Sequence, residues 1–256
     1  MNRIKSFVRS RPAANLAVIA VAALAVFYSV PQRAVGTDPV SVAVEQLLGD
    51  NPPQSSAGWD LPNLQHARVD SWVKTFSTNP RSKSNFAVWL ERLPKYEPMI
   101  SAKLTERNMP QDLIYLAMIE SGFNPTAKSP AAAGGLWQFI SETGQRYGLT
   151  VNKRVDERNH PEKATDAALS YLSDLHDRFG SWYLAAAAYN TGENRVGRLM
   201  RQVTGSEKGT DADYYRISNL LPRETREYVP MMIAAARISK DRGKYGFASN
   251  DIAMAE

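Results

Sequence analysis

From Ala67 to Lys240 the apolar residues of this chain recur at helical spacing, and the alternation that marks a half-buried strand is nearly absent. A chain patterned this way must bury helix faces against other helices, so the expected fold class is all-α. Val69, Trp72, Val73 and Phe76 share one stripe, Phe86, Trp89 and Leu90 a second, and Tyr96, Ile100 and Leu104 a third. Met109–Gly122 predicts a short helix with Pro110 in its first turn and Gly122 as its stop. A loop of Gly, Pro, Ser and Ala runs on to Gly135, followed by a short helix from Leu136. Helices over Pro161–Phe179, Trp182–Asn190, Glu193–Val203 and Pro222–Lys240 complete the set, with Pro230 expected to bend or restart the last. Lengths this uneven do not suit a simple up-down bundle.

The positive charge lies outside this helical region. The first 36 residues hold Arg3, Lys5, Arg9, Arg11 and Arg33 and no acid; the remainder has 26 basic against 26 acidic residues. The body is neutral on balance, so no basic face is required and nucleic acid is not an expected partner. Behind the basic start, Ala13 to Val30 is an uncharged stretch bounded by Pro12 and Pro31. As a helix it would span about 27 Å, close to the thickness of a membrane core. That length favours a retained anchor over a cleavable signal, although Ala34-Val35-Gly36 offers a small-x-small cleavage site. Charge ahead of the apolar run keeps the N-terminus in the cytoplasm and sends the rest across. The expected layout is a cytoplasmic basic segment (1–12), an anchor or signal (13–30), a tether (31–66), a helical domain (67–245) and a tail (246–256).

The absence of cysteine excludes disulfides, thiolate nucleophiles and Cys-based metal sites. His66, His160 and His176 lack ligand spacing, so neither metal nor cofactor is expected. Gly192-Glu193-Asn194-Arg195-Val196-Gly197 has the glycines of a nucleotide loop but no strand before it. Arg195, Arg198 and Arg201 read as a solvated helix face, with anionic peptide carboxylates as the alternative.

Glu120 breaks the helical pattern. The apolar stripe of its helix runs Leu113, Leu116, Ala117, and the next position on that face is a carboxylate. Burial disfavours the charged form; holding it protonated near neutral pH costs roughly 3 kcal/mol. A carboxyl kept neutral in that way is a candidate general acid. The plain alternative is an exposed Glu at a frayed helix end.

Three stretches extend this reading: Glu120-Ser121-Gly122-Phe123-Asn124-Pro125 through Ser129, then Ala133-Gly134-Gly135-Leu136-Trp137-Gln138-Phe139, and later Ala188-Tyr189-Asn190-Thr191-Gly192. With Glu224-Thr225-Arg226-Glu227-Tyr228-Val229-Pro230 they resemble the lytic transglycosylases of the soluble-type, goose-lysozyme-like superfamily, most of all the membrane-bound D type. The resemblance covers about residues 84–240. It implies a lysozyme-like domain on the periplasmic side of a bacterial inner membrane. The implied reaction is non-hydrolytic cleavage of the MurNAc–GlcNAc bond in peptidoglycan glycan strands, leaving 1,6-anhydro ends. Glu120 matches the family's acid/base. Ser129, Gln138, Tyr189, Asn190 and Tyr228 match its substrate-side residues: Ser129 the serine near the acetamido group, with a hydroxyl that could also bond Glu120, and Tyr189 a hydroxyl directed at Glu120. Trp137 replaces a common Met and is expected to keep the cleft apolar or to stack on sugar. Gly134 stands where Ala or Ser often precedes the glycine. The D type carries wall-binding LysM repeats, which these 256 residues lack; wall targeting is then expected from the anchor, the cleft or a partner.

An ordinary glycosidase needs two carboxyls about 5–9.5 Å apart astride the bond. None stands between Glu120 and Gln138, and Glu142 and Asp156 fall on a solvated face and a loop. One carboxyl is what substrate assistance requires, but folding can bring a distant acid close. A hydrolytic muramidase of the same fold, and a silent wall-binding subunit of a secretion machine, remain as alternatives.

Overall fold

The structure is a computed structural model and describes residues 59–247; the expected anchor (13–30), most of the tether and all but the start of the tail lie outside the described residues. Its helices are α1 (Ala67–Thr78), α2 (Pro80–Glu106), α3 (Ile114–Ser121), α4 (Ser141–Arg146), α5 (Pro161–Phe179), α6 (Trp182–Thr191), α7 (Glu193–Thr204), α8 (Asp211–Ser218) and α9 (Arg223–Lys240). Among the described residues there is no strand, only isolated bridges, so the all-α expectation holds.

Side chains that suit their positions end these helices. Asn79 accepts from Ser82 N at 3.0 Å to start α2, with Pro80 in the first turn. Ser181 does the same for α6 through Leu184 N at 3.1 Å. Gly180 closes α5 at φ +71°, a left-handed conformation that carries no steric penalty for glycine.

α3 differs from its expected form. It was read as carrying one apolar stripe, yet every residue from Ile114 to Glu120 is buried. A helix apolar all round is a core helix, and α9 packs along it. α9 also contacts α1 and α6, so the centre of the molecule is α3, α6 and the Tyr228–Ala236 stretch of α9. The 3-10 turn Gln111–Leu113 that leads into α3 is capped from a distance: the Asp60 carboxylate accepts from the backbone N–H groups of Gln111 and, at 3.0 Å, Asp112. Leu61 is buried beside it. The last residues of the expected tether therefore belong to the domain, because a helix N-terminus needs an acceptor and its own sequence supplies none. The tail is shortened likewise, since Phe247 is buried against Phe86.

The restart expected at Pro230 does not occur. α9 runs continuously through Pro230, and the second and third expected stripes are a single helix, α2, through Pro94 and Pro98. Each proline removes one backbone bond, and packing of α2 and α9 into the core outweighs that loss. The short helix expected from Leu136 is absent; residues 135–138 form a turn between the bridged Gly134 and Phe139, and α4 starts only at Ser141.

Candidate active site

Glu120 sits in the last turn of α3, 5 % exposed. Two constraints place it there. Gly122 turns the chain at φ +57°, and a Cβ on it would lie 2.2 Å from the Trp89 ring, so only glycine lets α3 end against α2. Ser121 then fastens the outgoing loop by donating to the Leu136 carbonyl at 2.8 Å.

The carboxyl has one direct partner. The Tyr228 hydroxyl, from α9, donates to Glu120 Oε1 at 2.5 Å, while Oε2 has no hydrogen-bond partner among the described residues. Burial pushes the Glu120 carboxyl up to about 8; the Tyr228 hydrogen bond opposes this and the charge of Glu224 adds to it. The C-terminal end of α3 is also an unfavourable place for an anion. At neutral pH Glu120 is an acid with Oε1 held by Tyr228, which leaves Oε2 to carry the proton.

Glu224 was not among the expected site residues. It is half-buried one turn before Tyr228 on α9, and its electrostatic effect on Glu120 puts a second carboxyl in this neighbourhood. Burial raises it too, against the Asn190 Nδ2 donor at 3.2 Å. Glu224 is thus a candidate for the distant acid that folding can bring close. Its separation of four residues from Tyr228 was visible in the sequence and puts both on one helix face.

The remaining expected residues divide. Asn190 is in place, with Oδ1 accepting from Thr225 at 2.7 Å. Gln138 lies in the loop at φ +48°, 5 % exposed, its Nε2 donating to the carbonyls of Gly135 and Ala127. Its Oε1 is buried without a partner, an orphan acceptor of the kind a bound donor satisfies. Three expectations are corrected. Tyr189 donates to the Trp137 carbonyl at 2.8 Å, not to Glu120, although the Glu120 charge, after burial, still raises its hydroxyl. The Ser129 hydroxyl accepts from Ala133 N at 3.0 Å and closes a turn instead of reaching Glu120. Trp137 is fully buried, its indole donating to Thr165 at 2.9 Å, so it cannot stack on a sugar.

Arg158 was also missed. Its buried guanidinium donates to the carbonyls of Ala132 (2.7 Å) and Phe139 (2.9 Å) and pairs with Asp156 at 2.7 Å. It clamps both ends of the turn that presents Gln138, and Asp156 is thereby committed to structure. Glu142 is exposed on α4, as expected. Arg201 meets Glu207 at the surface, consistent with a solvated face. No metal-binding cluster occurs among the described residues. A cavity of about 580 Å³ opens at the other end of α3, lined in part by Trp59, Asp112, Tyr115 and Lys240. There the buried Asp112 is already paired with Lys240, a support for the helix rather than a reaction centre.

Comparison with known proteins places the domain in a family context. Residues 97–211 match the profile of the Transglycosylase SLT domain family. Membrane-bound lytic murein transglycosylase D of Escherichia coli (strain K12) is 38% identical over 167 residues, 65% of this chain and 36% of that protein. Peptidoglycan transglycosylase gp16 of Escherichia phage T7 is 37% identical over 124 residues, 48% of this chain and 9% of its own. Soluble lytic murein transglycosylase of Escherichia coli (strain K12) is 28% identical over 151 residues, 56% and 23% of the two chains. The chain thus spans about a third of the length of the membrane-bound D relative. Glu224 and Tyr228 lie beyond the residues that the family profile matches. The chain carries a transglycosylase SLT domain and is homologous to membrane-bound lytic murein transglycosylase D.

Proposed function

We propose that this protein is a peptidoglycan lytic transglycosylase with Glu120 as its acid/base. The supporting observation is a carboxyl buried in the last turn of α3, with one oxygen taken by Tyr228 and its value pushed by burial to about 8. Glu120 Oε2 gives its proton to the glycosidic oxygen as the C1–O bond breaks. The substrate's 2-acetamido group stabilises the cation formed at C1. The resulting carboxylate then takes the proton of the MurNAc 6-hydroxyl while that oxygen bonds to C1, closing the anhydro ring without consuming water. Tyr228 holds the carboxyl in one orientation through both steps. The orphan Oε1 of Gln138 accepts from a sugar N–H or O–H, and Asn190 and the loop closed by Ser129 shape the cleft. Tyr189 supports that loop through the Trp137 carbonyl. Such a substrate requires export, with residues 13–30 as the membrane anchor.

A second reading, a hydrolytic muramidase, is favoured by Glu224, which as an anion could serve as base to a water. Mass spectrometry of digested sacculi separates the two, since 1,6-anhydro ends are lighter than reducing ends by one water. Reducing ends alone would establish the hydrolase. Activity should also fall as pH rises through the Glu120 value of about 8, because the donor proton is lost there. A pH–rate profile flat from 6 to 9 would remove Glu120 from the acid role.

A further inference from the structure

Thr225 lies on α9 beside Glu224, 1 % exposed, and its hydroxyl donates to Asn190 Oδ1 at 2.7 Å. The other end of that amide donates to Glu224 Oε1 at 3.2 Å. A primary amide can present either end to a neighbour. Facing Glu224 with N–H it stabilises an anion; turned over, it would offer carbonyl lone pairs, to which only a protonated carboxyl can donate. The Thr225 donor meets the amide oxygen from the far side and holds the first arrangement. Without that hydroxyl the buried oxygen has no donor, and the orientation that serves Glu224 is no longer favoured.

The groups around the two carboxyls are few. From α9 Tyr228 and Glu224 act on Glu120, and Glu120 in turn acts on Tyr189 of α6. Asn190 of α6 faces Glu224, and no cation among the described residues pairs with either carboxyl. The charge carried by Glu224 is therefore the main variable in the field at Glu120.

We propose that Thr225 is a positioning residue: by fixing the Asn190 amide it keeps Glu224 an anion beside Glu120, so that one cleft carboxyl is charged while the other retains its proton. Separated environments of this kind assign acid and anion within a carboxyl pair. Burial disfavours the charge on both; the Asn190 donor opposes this at Glu224 without cancelling it, and a Glu224 anion favours the proton on Glu120.

This inference rests on the proposed acid/base role of Glu120 and is tested on the full chain in two ways. One is the pH–rate profile on purified peptidoglycan. The other is the titration of the Glu120 carboxyl carbon by ¹³C NMR, assigned by its loss in E120Q, which needs no turnover. In T225V the basic limb and the Glu120 titration should both move down by about one pH unit. In E224Q they should move the same way, and T225S should restore them. A T225V protein that is slower but titrates at the wild-type position shows a purely structural Thr225 and overturns the inference. Should T225V fail to fold, an unmoved titration in E224Q overturns it equally. A wild-type protein that cleaves no glycan refutes the proposed function instead, and the titrations still decide whether Thr225 governs the pair.

Discussion

Glu120→Gln is expected to lower the release of anhydro-ended fragments by about 100- to 10,000-fold, the range for loss of a positioned proton donor. Glutamine keeps the size of the side chain, and its carbonyl can still accept from Tyr228. It has no proton to give the leaving oxygen. The same substitution should make the protein more stable. A carboxyl whose folded value is raised contributes most below its unfolded value, near 4.5, and that contribution is lost as pH rises toward about 8. At pH 7 the unfolded chain would ionise Glu120 while the folded chain holds it neutral, a penalty of about 3 kcal/mol that glutamine escapes. Urea unfolding at pH 7 and pH 4 checks this: the gain of E120Q over wild type should be large at 7 and near zero at 4. Opposite signs for rate and stability are the signature of a buried acid retained for chemistry. Equal activity in E120Q would instead remove Glu120 from the chemistry.

Gly135→Ala carries the largest expected loss of stability, about 3–5 kcal/mol. Gly135 has φ +83°, and a Cβ there would lie 1.7 Å from the carbonyl oxygen of Arg158. The obstacle is backbone, which cannot rotate aside as a side chain can. The Arg158 segment is itself fixed by the guanidinium bonds to Ala132, Phe139 and Asp156. Relief would thus have to displace the turn that carries Gln138. Gly148 is a control, because its φ of +89° is similar but nothing lies within 4 Å of its Cβ position. Gly148→Ala should cost only the left-handed conformation, about 1 kcal/mol. Comparable urea midpoints for the two variants would show that the approach of Gly135 to Arg158 does not matter. The close approach also accounts for the glycine that ends Gly134-Gly135.

The helices were legible wherever periodicity ran long enough to outweigh local irregularity. α5 begins and ends where Pro161 and Gly180 indicate, and α6 and α7 are displaced by a residue at most. Pro230 misled because a proline reports only its local cost, whereas the core interactions of α9 are long-range. Trp137 misled for a similar reason. An indole suits both a sugar and a core, and only the Thr165 hydroxyl 28 residues away shows which it meets. Tyr189 and Ser129 are near the place expected of them, but the direction of a hydroxyl is set by whichever acceptor or donor the fold brings closest.

Composition and spacing alone determined the helical class, the absence of cysteine chemistry and the anomaly of a carboxyl on an apolar helix, because each is a property of neighbours in the chain. The fold decided that this carboxyl meets Tyr228 across 108 residues, that Glu224 and not a nearer acid shares its surroundings, and that Asp60 caps its helix from 52 residues away. Such contacts join segments with no periodic relation to one another. Burial and field at Glu120 are sums over those segments, and they exist only once α3, α6 and α9 have packed.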